Sequence, residues 1–162
     1  MAAQDSVGDY VRLAGLALGA DRCWLYARDP AAGDGVALVR WLRAAGIPDV
    51  PDDLRRWTAE PPGLAARDPL FARALAGTPL DAVDDAAVAR VDAELERALG
   101  HRAFVHVNLH LDRVLWGVLQ PGMTAGPRAW SAAECARLLA LRPVLAPLVA
   151  AAGRAPSRLL VG

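Results

Sequence analysis

Lysine is absent from this chain. All 18 basic side chains are arginine, and 18 acids balance them to a formal net charge of +0. A protein that grips nucleic acid by neutralising phosphates carries a basic excess, so no nucleic-acid partner is expected. Only two cysteines occur, Cys23 and Cys135, too few for a disulfide framework. No run approaches 18 uninterrupted apolar residues, which argues against a membrane partner. The opening MAAQDSVGDY has acids where a secretory signal has a basic segment, so a cytoplasmic, reducing setting is the expectation. Isoleucine and asparagine appear once each, as Ile47 and Asn108, while alanine, glycine, proline and arginine are heavy. That bias reads as a GC-rich bacterial genome and is silent on activity. What is present is 162 residues, 54% of them hydrophobic and 22% charged, enough for one domain that buries roughly two-thirds of its unfolded surface.

Periodicity places the elements. Val7, Tyr10, Val11, Ala14 and Leu18 recur at helical spacing, which predicts a helix over 6–18, capped by Asp5 or Ser6 and stopped by Gly19. Residues 22–28 alternate as a strand, with Cys23, Leu25 and Ala27 on one side and Trp24 and Tyr26 on the other. Turn chemistry in DPAAGDG then leads to a second strand over 36–42, making a hairpin. Pro48 and Pro51 break the next segment, and Asp52 or Asp53 can cap a short helix through Trp57. Asp68-Pro69 is an N-cap with proline at the first helical position, and that helix ends at Gly77. A short strand over 80–83 precedes a helix capped by Asp84 or Asp85, with Val88, Val91, Leu95 and Leu99 on one stripe and Gly100 ending it. Residues 102–111 are the clearest strand, putting Phe104, His106, Asn108 and His110 on one face. Asp112-Arg113 turns the chain back into a strand over 114–120, and a loop is expected over 121–127. Ser131 and Glu134 form a capping box for the last helix, which Pro143 and Pro147 should kink near Arg142. Residues 1–153 then form one domain, and 154–162 a tail. Hairpin connections imply a mainly antiparallel α+β architecture, with the two end helices together on one face.

Several of these segments resemble a GAF domain, over about Leu13 to Gly153. They are Ala20-Asp21-Arg22 before the first strand, Trp41 with Gly46-Ile47-Pro48 after the second, and Ala76-Gly77-Thr78-Pro79 before the middle strand. Leu115-Trp116-Gly117-Val118-Leu119 lies in the last hairpin, and Arg128-Ala129-Trp130-Ser131-Ala132-Ala133-Glu134 opens the last helix. The resemblance implies a GAF-like sheet of five to six strands with a helical and loop middle segment over one face. It also implies a sensory role, since such domains hold cyclic nucleotides, bilins, haem, iron or small metabolites, and it leaves the cofactor unknown. Gly117, in mid-strand where glycine weakens a sheet, has a use if a terminal helix comes close to it.

The candidate chemistries narrow the role. His106 and His110 stand four strand residues, about 13 Å, apart and cannot share one zinc. His101 follows a helix-ending glycine and is expected at the surface. One axial histidine on the Phe104–His110 face could serve haem, or those histidines could meet solvent. For a bilin, neither cysteine falls in the middle segment where such GAF domains hold theirs. The Asn-Lys-Phe-Asp-Glu signature of cyclic-nucleotide binders is missing. A thiol-dependent methionine sulfoxide reductase-like enzyme would need Cys23 and Cys135 together, and Ser6, Ser131 and Ser157 sit in caps or tail with no elbow motif. No catalytic set emerges, and an enzyme is not expected.

The aromatic residues remain. In a GAF domain the pocket lies between one sheet face and the middle segment. That resemblance makes Trp24, Tyr26, Trp41, Trp57, Phe71, Phe104 and Trp116, with His106, Asn108 and His110 as polar handles, a candidate ligand pocket. The same rings could instead fill the core. The expectation is a stand-alone sensory or regulatory domain that binds an unidentified small molecule or a protein, pairs as a homodimer through its terminal helices, and acts through an effector protein in trans. A ligand-free dimeric scaffold is the alternative.

Overall fold

The computed structural model describes residues 2–57, 63–88 and 92–154. Six strands form one sheet: β1 (Arg22–Asp29), β2 (Asp34–Leu42), β3 (Arg56–Trp57), β4 (Leu80–Val83), β5 (Ala103–Leu111) and β6 (Val114–Met123). Their order is β3-β2-β1-β6-β5-β4, and every neighbouring pair is antiparallel. The two hairpins predicted from sequence are therefore β1–β2 and β5–β6, joined edge to edge along β1 and β6. Asp112 and Arg113 close the second hairpin with both φ values positive, 52° and 66°. That is the primed two-residue turn whose twist matches the flanking strands.

One face carries the main core. Val7, Val11, Ala14 and Leu18 from the first helix, α1 (Ala2–Ala17), pack on Cys23, Leu25, Ala27, Val105, Val107, Leu109 and Leu119. Leu138 of α5 (Ala132–Leu139) and Leu145, Ala146 and Val149 of α6 (Arg142–Gly153) join them. The capping box opens α5 as predicted. Ser131 Oγ accepts from the Glu134 N–H at 3.2 Å, and Glu134 Oε2 accepts from the Ser131 N–H at 2.9 Å. The predicted kink appears as a 49° bend between α5 and α6, since Pro143 lacks an N–H and its ring crowds the preceding turn. Among the described residues no single helix is long and apolar enough to cross a membrane.

The middle segment covers the other face. It comprises a 3-10 turn (Asp52–Leu54), α2 (Leu64–Arg67), α3 (Pro69–Leu75) and α4 (Ala93–Leu99). Asp68 caps α3 as its sequence predicts, its Oδ1 accepting from Leu70 N at 2.9 Å and Phe71 N at 3.4 Å. Asp68→Ala strands both donors, so it is expected to cost about 1–2 kcal/mol of stability by chemical denaturation. An unchanged midpoint would show that the cap does not hold this segment.

Several boundaries differ from expectation. The first helix runs through Asp5 and Ser6 rather than starting there. After the 3-10 turn the chain pairs with β2 as β3 instead of continuing as a helix to Trp57. The helix expected from Asp84 or Asp85 begins only at Asp92, whose side chain accepts from Leu95 N. Val88 is 81% exposed and stands off the expected stripe, whereas Leu95 and Leu99 pack inward; Val91 lies outside the described residues. Strand β6 continues through Pro121 to Met123, where a loop was expected. The β5–β6 ladder is open between the Phe104–Gly122 and Val107–Leu119 pairs, and Pro121, with no donor to give, fits in that gap. Of the predicted tail, 155–162 lies outside the described residues.

Candidate functional site

A cavity of about 220 Å³ lies between the sheet and the middle segment. Its floor is Tyr26 and Arg28 of β1, His106 of β5, and Leu115, Gly117, Val118 and Gln120 of β6. Its roof is Leu54 with Asp53, then Leu64, Asp68 and Phe71, and finally Leu95, Glu96 and Leu99 on one side of α4. Strand alternation delivers the floor, and the Asp68 cap aims Phe71 inward. The lining is mostly apolar, with Arg28, His106 and Gln120 as polar groups on the floor and Asp53, Asp68 and Glu96 on the roof.

Gln120, His106 and Glu96 belong to a network that sequence reading largely missed. The Gln120 amide donates to His106 Nε2 at 2.8 Å, directly across the open part of the β5–β6 ladder. Glu96 is buried and its Oε2 lies 2.7 Å from His101 Nδ1. His101, expected at the surface, is buried because Gly100 in the left-handed conformation turns it under α4. The rings of Tyr26, Trp24, His101, Phe104 and His106 follow one another at centroid distances of 6.1, 5.2, 4.8 and 5.3 Å. Arg22 is fully buried beside them, its guanidinium 4.0 Å from the Trp24 ring and donating to the carbonyls of Pro48 and Leu99.

Burial dominates the electrostatics. It pushes Glu96 up to about 7 against the opposing pull of His106 and Arg22. It lowers His106 to about 4 and holds His101 well below the usual histidine range, so both rings are neutral at pH 7. Desolvation lowers Arg22 to about 10, still charged. His106 Nδ1 and His101 Nε2 have no hydrogen-bond partner.

The sequence-predicted pocket residues divide. Tyr26, Phe71 and His106 line the cavity. Trp24 and Phe104 lie on the same face but fully buried behind it, as its supporting wall. Asn108 is consumed structurally, its amide donating to Thr78 O at 2.9 Å. His110 belongs to a separate hollow of about 400 Å³ beside Arg113 and Arg142. Trp41 and Trp116 are corrections, because both pack into the helix-covered face. Trp41 pairs with Cys23 and shares its side of the sheet. Trp116 is the extra residue of a bulge, since Leu109 faces Gly117 while His110 faces Leu115. That insertion flips the strand's alternation and sends the indole toward Gly153. The Trp57 side chain lies outside the described part of the chain.

Of the cavity groups not anticipated, Arg28 and Gln120 were readable as continuations of the Trp24–Tyr26 and Val118 alternations. Glu96 was readable as a charge beside the Leu95–Leu99 stripe. Neither cysteine lines the cavity. Cys23 is buried in the main core and Cys135 is partly buried on α5, and burial raises both thiols. Among the described residues no group of three or more His, Cys, Asp or Glu is placed to hold a metal ion.

The GAF domain family profile matches residues 4–143. No curated protein matches the chain in sequence. Among solved structures it is similar to the blue-light-absorbing form of the PixJ GAF domain from Thermosynechococcus elongatus, at 21% identity and a TM-score of 0.71, covering 97% of this chain and 90% of that one. It is also similar to a phycocyanobilin-bound GAF domain from a cyanobacterial phytochrome, at 18% identity and TM-score 0.67, with 91% and 84% coverage. A third likeness is to the GAF domain of an Acinetobacter phosphoenolpyruvate-protein phosphotransferase, at 16% identity and TM-score 0.66, with 93% and 83% coverage. Because the profile spans most of the sequence and these structures share the fold beneath it, this chain belongs to the GAF domain family.

Proposed function

We propose that this GAF domain is a sensory or regulatory domain that takes a compact, largely apolar small molecule between its sheet and its middle segment, and acts through another chain. The observation that carries this is the cavity itself, roofed by α2, α3 and α4 and mostly apolar with a few polar groups in its walls. Its volume lies below the roughly 300–1,000 Å³ of sites for drug-sized ligands. A bilin such as those in the similar structures does not fit these residues. The space is small, and neither Cys23 nor Cys135 is in it to form a thioether. Haem fits no better, because His106 Nε2 is bonded to Gln120.

A route for the response is built into the fold. Phe71 in the cavity and Ala74 share α3. The Ala74 carbonyl accepts from His110 Nε2 at 2.7 Å, and His110 Nδ1 lies 3.1 Å from Arg142 Nη2. Arg142 Nε donates to Asn108 O at 2.9 Å, at the bend where α6 begins. A shift of α3 on binding is thereby passed to the C-terminal helix. Leu13 and Leu16 on α1 and Val144 on α6 are exposed, which favours a homodimer through the terminal helices.

Native mass spectrometry of the protein as purified, with a thermal-shift screen of small metabolites, tests the reading. A bound small molecule, or a compound raising the melting temperature by several degrees, is the expected result, and Val118→Phe, which fills the floor, should abolish the shift. No bound mass and no shift across the screen would leave the ligand-free dimeric scaffold as the better account.

A further inference from the structure

Resting on that reading of the cavity, we infer that the ligand is a small organic cation, an amine on a short apolar or aromatic body, with its ammonium against Glu96. The charge inventory of the walls points there. Among the described lining residues, Asp53, Asp68 and Glu96 supply three carboxyl groups, against the single guanidinium of Arg28. That guanidinium is already engaged, donating to Leu115 O at 2.8 Å and lying 5.7 Å from the Phe71 ring. Arg22 lies outside the cavity lining, donating to two backbone carbonyls and stacking on the Trp24 face. His106 and His101 are neutral, so neither supplies positive charge.

Glu96 is also held for the task. Its side chain is 6% exposed and Oε2 is fixed by the bond to His101 Nδ1. An anionic metabolite would meet these carboxyl groups, and the one described guanidinium in the wall is already engaged. An ammonium would gain a charge-assisted hydrogen bond in a poorly solvated space. Since burial holds Glu96 near 7, it is largely ionised at pH 8.

The test is calorimetric titration at pH 8 of the full chain with 2-phenylethylamine and 3-methylbutylamine. Each is compared with the alcohol of the same shape and with 3-phenylpropanoate. The amines are expected to bind at least about tenfold more tightly than the alcohols, and Glu96→Gln should bring amine and alcohol to about equal affinity. Melting curves of the variant establish that it folds. Alcohols or the carboxylate binding as well as the amines, in a manner that Val118→Phe abolishes, would overturn the cation while keeping the cavity as a ligand site. Amine binding that Glu96→Gln leaves intact would overturn the assignment of Glu96. Binding of none of these compounds, with no molecule carried through purification, would overturn both the cation and the cavity's role.

Discussion

Gly117→Ala is expected to lower the melting temperature by roughly 6–12 °C, the consequence of losing about 3 kcal/mol. A Cβ built at this position falls inside van der Waals contact of both the Tyr26 carbonyl oxygen and Val149 Cγ1. The first is backbone of the neighbouring strand, so it cannot yield without parting β1 from β6, the seam that joins the two hairpins. The second is fully buried on α6. Gly153 makes the reciprocal approach, with a Cβ there meeting the Arg28 carbonyl and the Trp116 ring. The C-terminal helix is thus seated against the sheet at two glycines. Gly126→Ala, where an added Cβ meets nothing within 4 Å and φ is not positive, is the control and should change stability by less than about 0.5 kcal/mol. Thermal denaturation of the two variants decides the matter, and equal melting temperatures would show that α6 does not bear on Gly117.

The close approach at Gly117 was legible in the sequence because a glycine inside a clear strand needs a neighbour to explain it. Most of the fold was legible for similar reasons. The alternation through Trp24 and Tyr26 assigned both faces of β1. Asp68-Pro69 marked a helix start, and the Ser131–Glu134 box marked another. Pro143 announced the bend. The features that escaped depend on pairing between distant segments. The bulge that reverses Trp116 is created by β5 opposite β6, and nothing in residues 114–120 signals an extra residue. Trp41 faces the helices because its register sets it opposite Cys23. The network around Glu96 escaped for the same reason. Glu96 and His101 look like surface residues of a short helix and its exit, and only the packing of α4 over Arg22 and Trp24 buries them. The three residues from that set that line the cavity, Tyr26, Phe71 and His106, come from elements whose phase is unbroken between the pattern that singled them out and the cavity wall.

That burial leads to the second large effect. Glu96→Gln is expected to stabilise the protein by about 3 kcal/mol at pH 8 and to have little effect near pH 4. The folded protein holds the Glu96 proton up to about pH 7, whereas the ordinary value is 4.5. A group whose affinity for protons is raised by folding stabilises the native state fully below its unfolded value. It loses that contribution as pH rises toward the folded value. The window is therefore pH 4.5 to 7, at about 1.4 kcal/mol per unit. His106, lowered from 6.5 to about 4, and His101, lowered further, act in the opposite sense, since their neutral burial costs stability as pH falls below 6.5. Arg22 and Asp92 also face Glu96, the first favouring its charge and the second opposing it. With these opposing groups the wild-type curve alone would be ambiguous, but the difference between variant and wild type isolates the carboxyl. Glutamine keeps an oxygen to accept from His101 Nδ1 and has no charge to bury. Urea denaturation of both proteins from pH 4 to pH 8.5 should give a difference near zero at the acid end, rising through neutrality and flat above pH 7. A constant difference across that range would mean that Glu96 ionises in the fold as it does in water, and that α4 does not seal it from solvent.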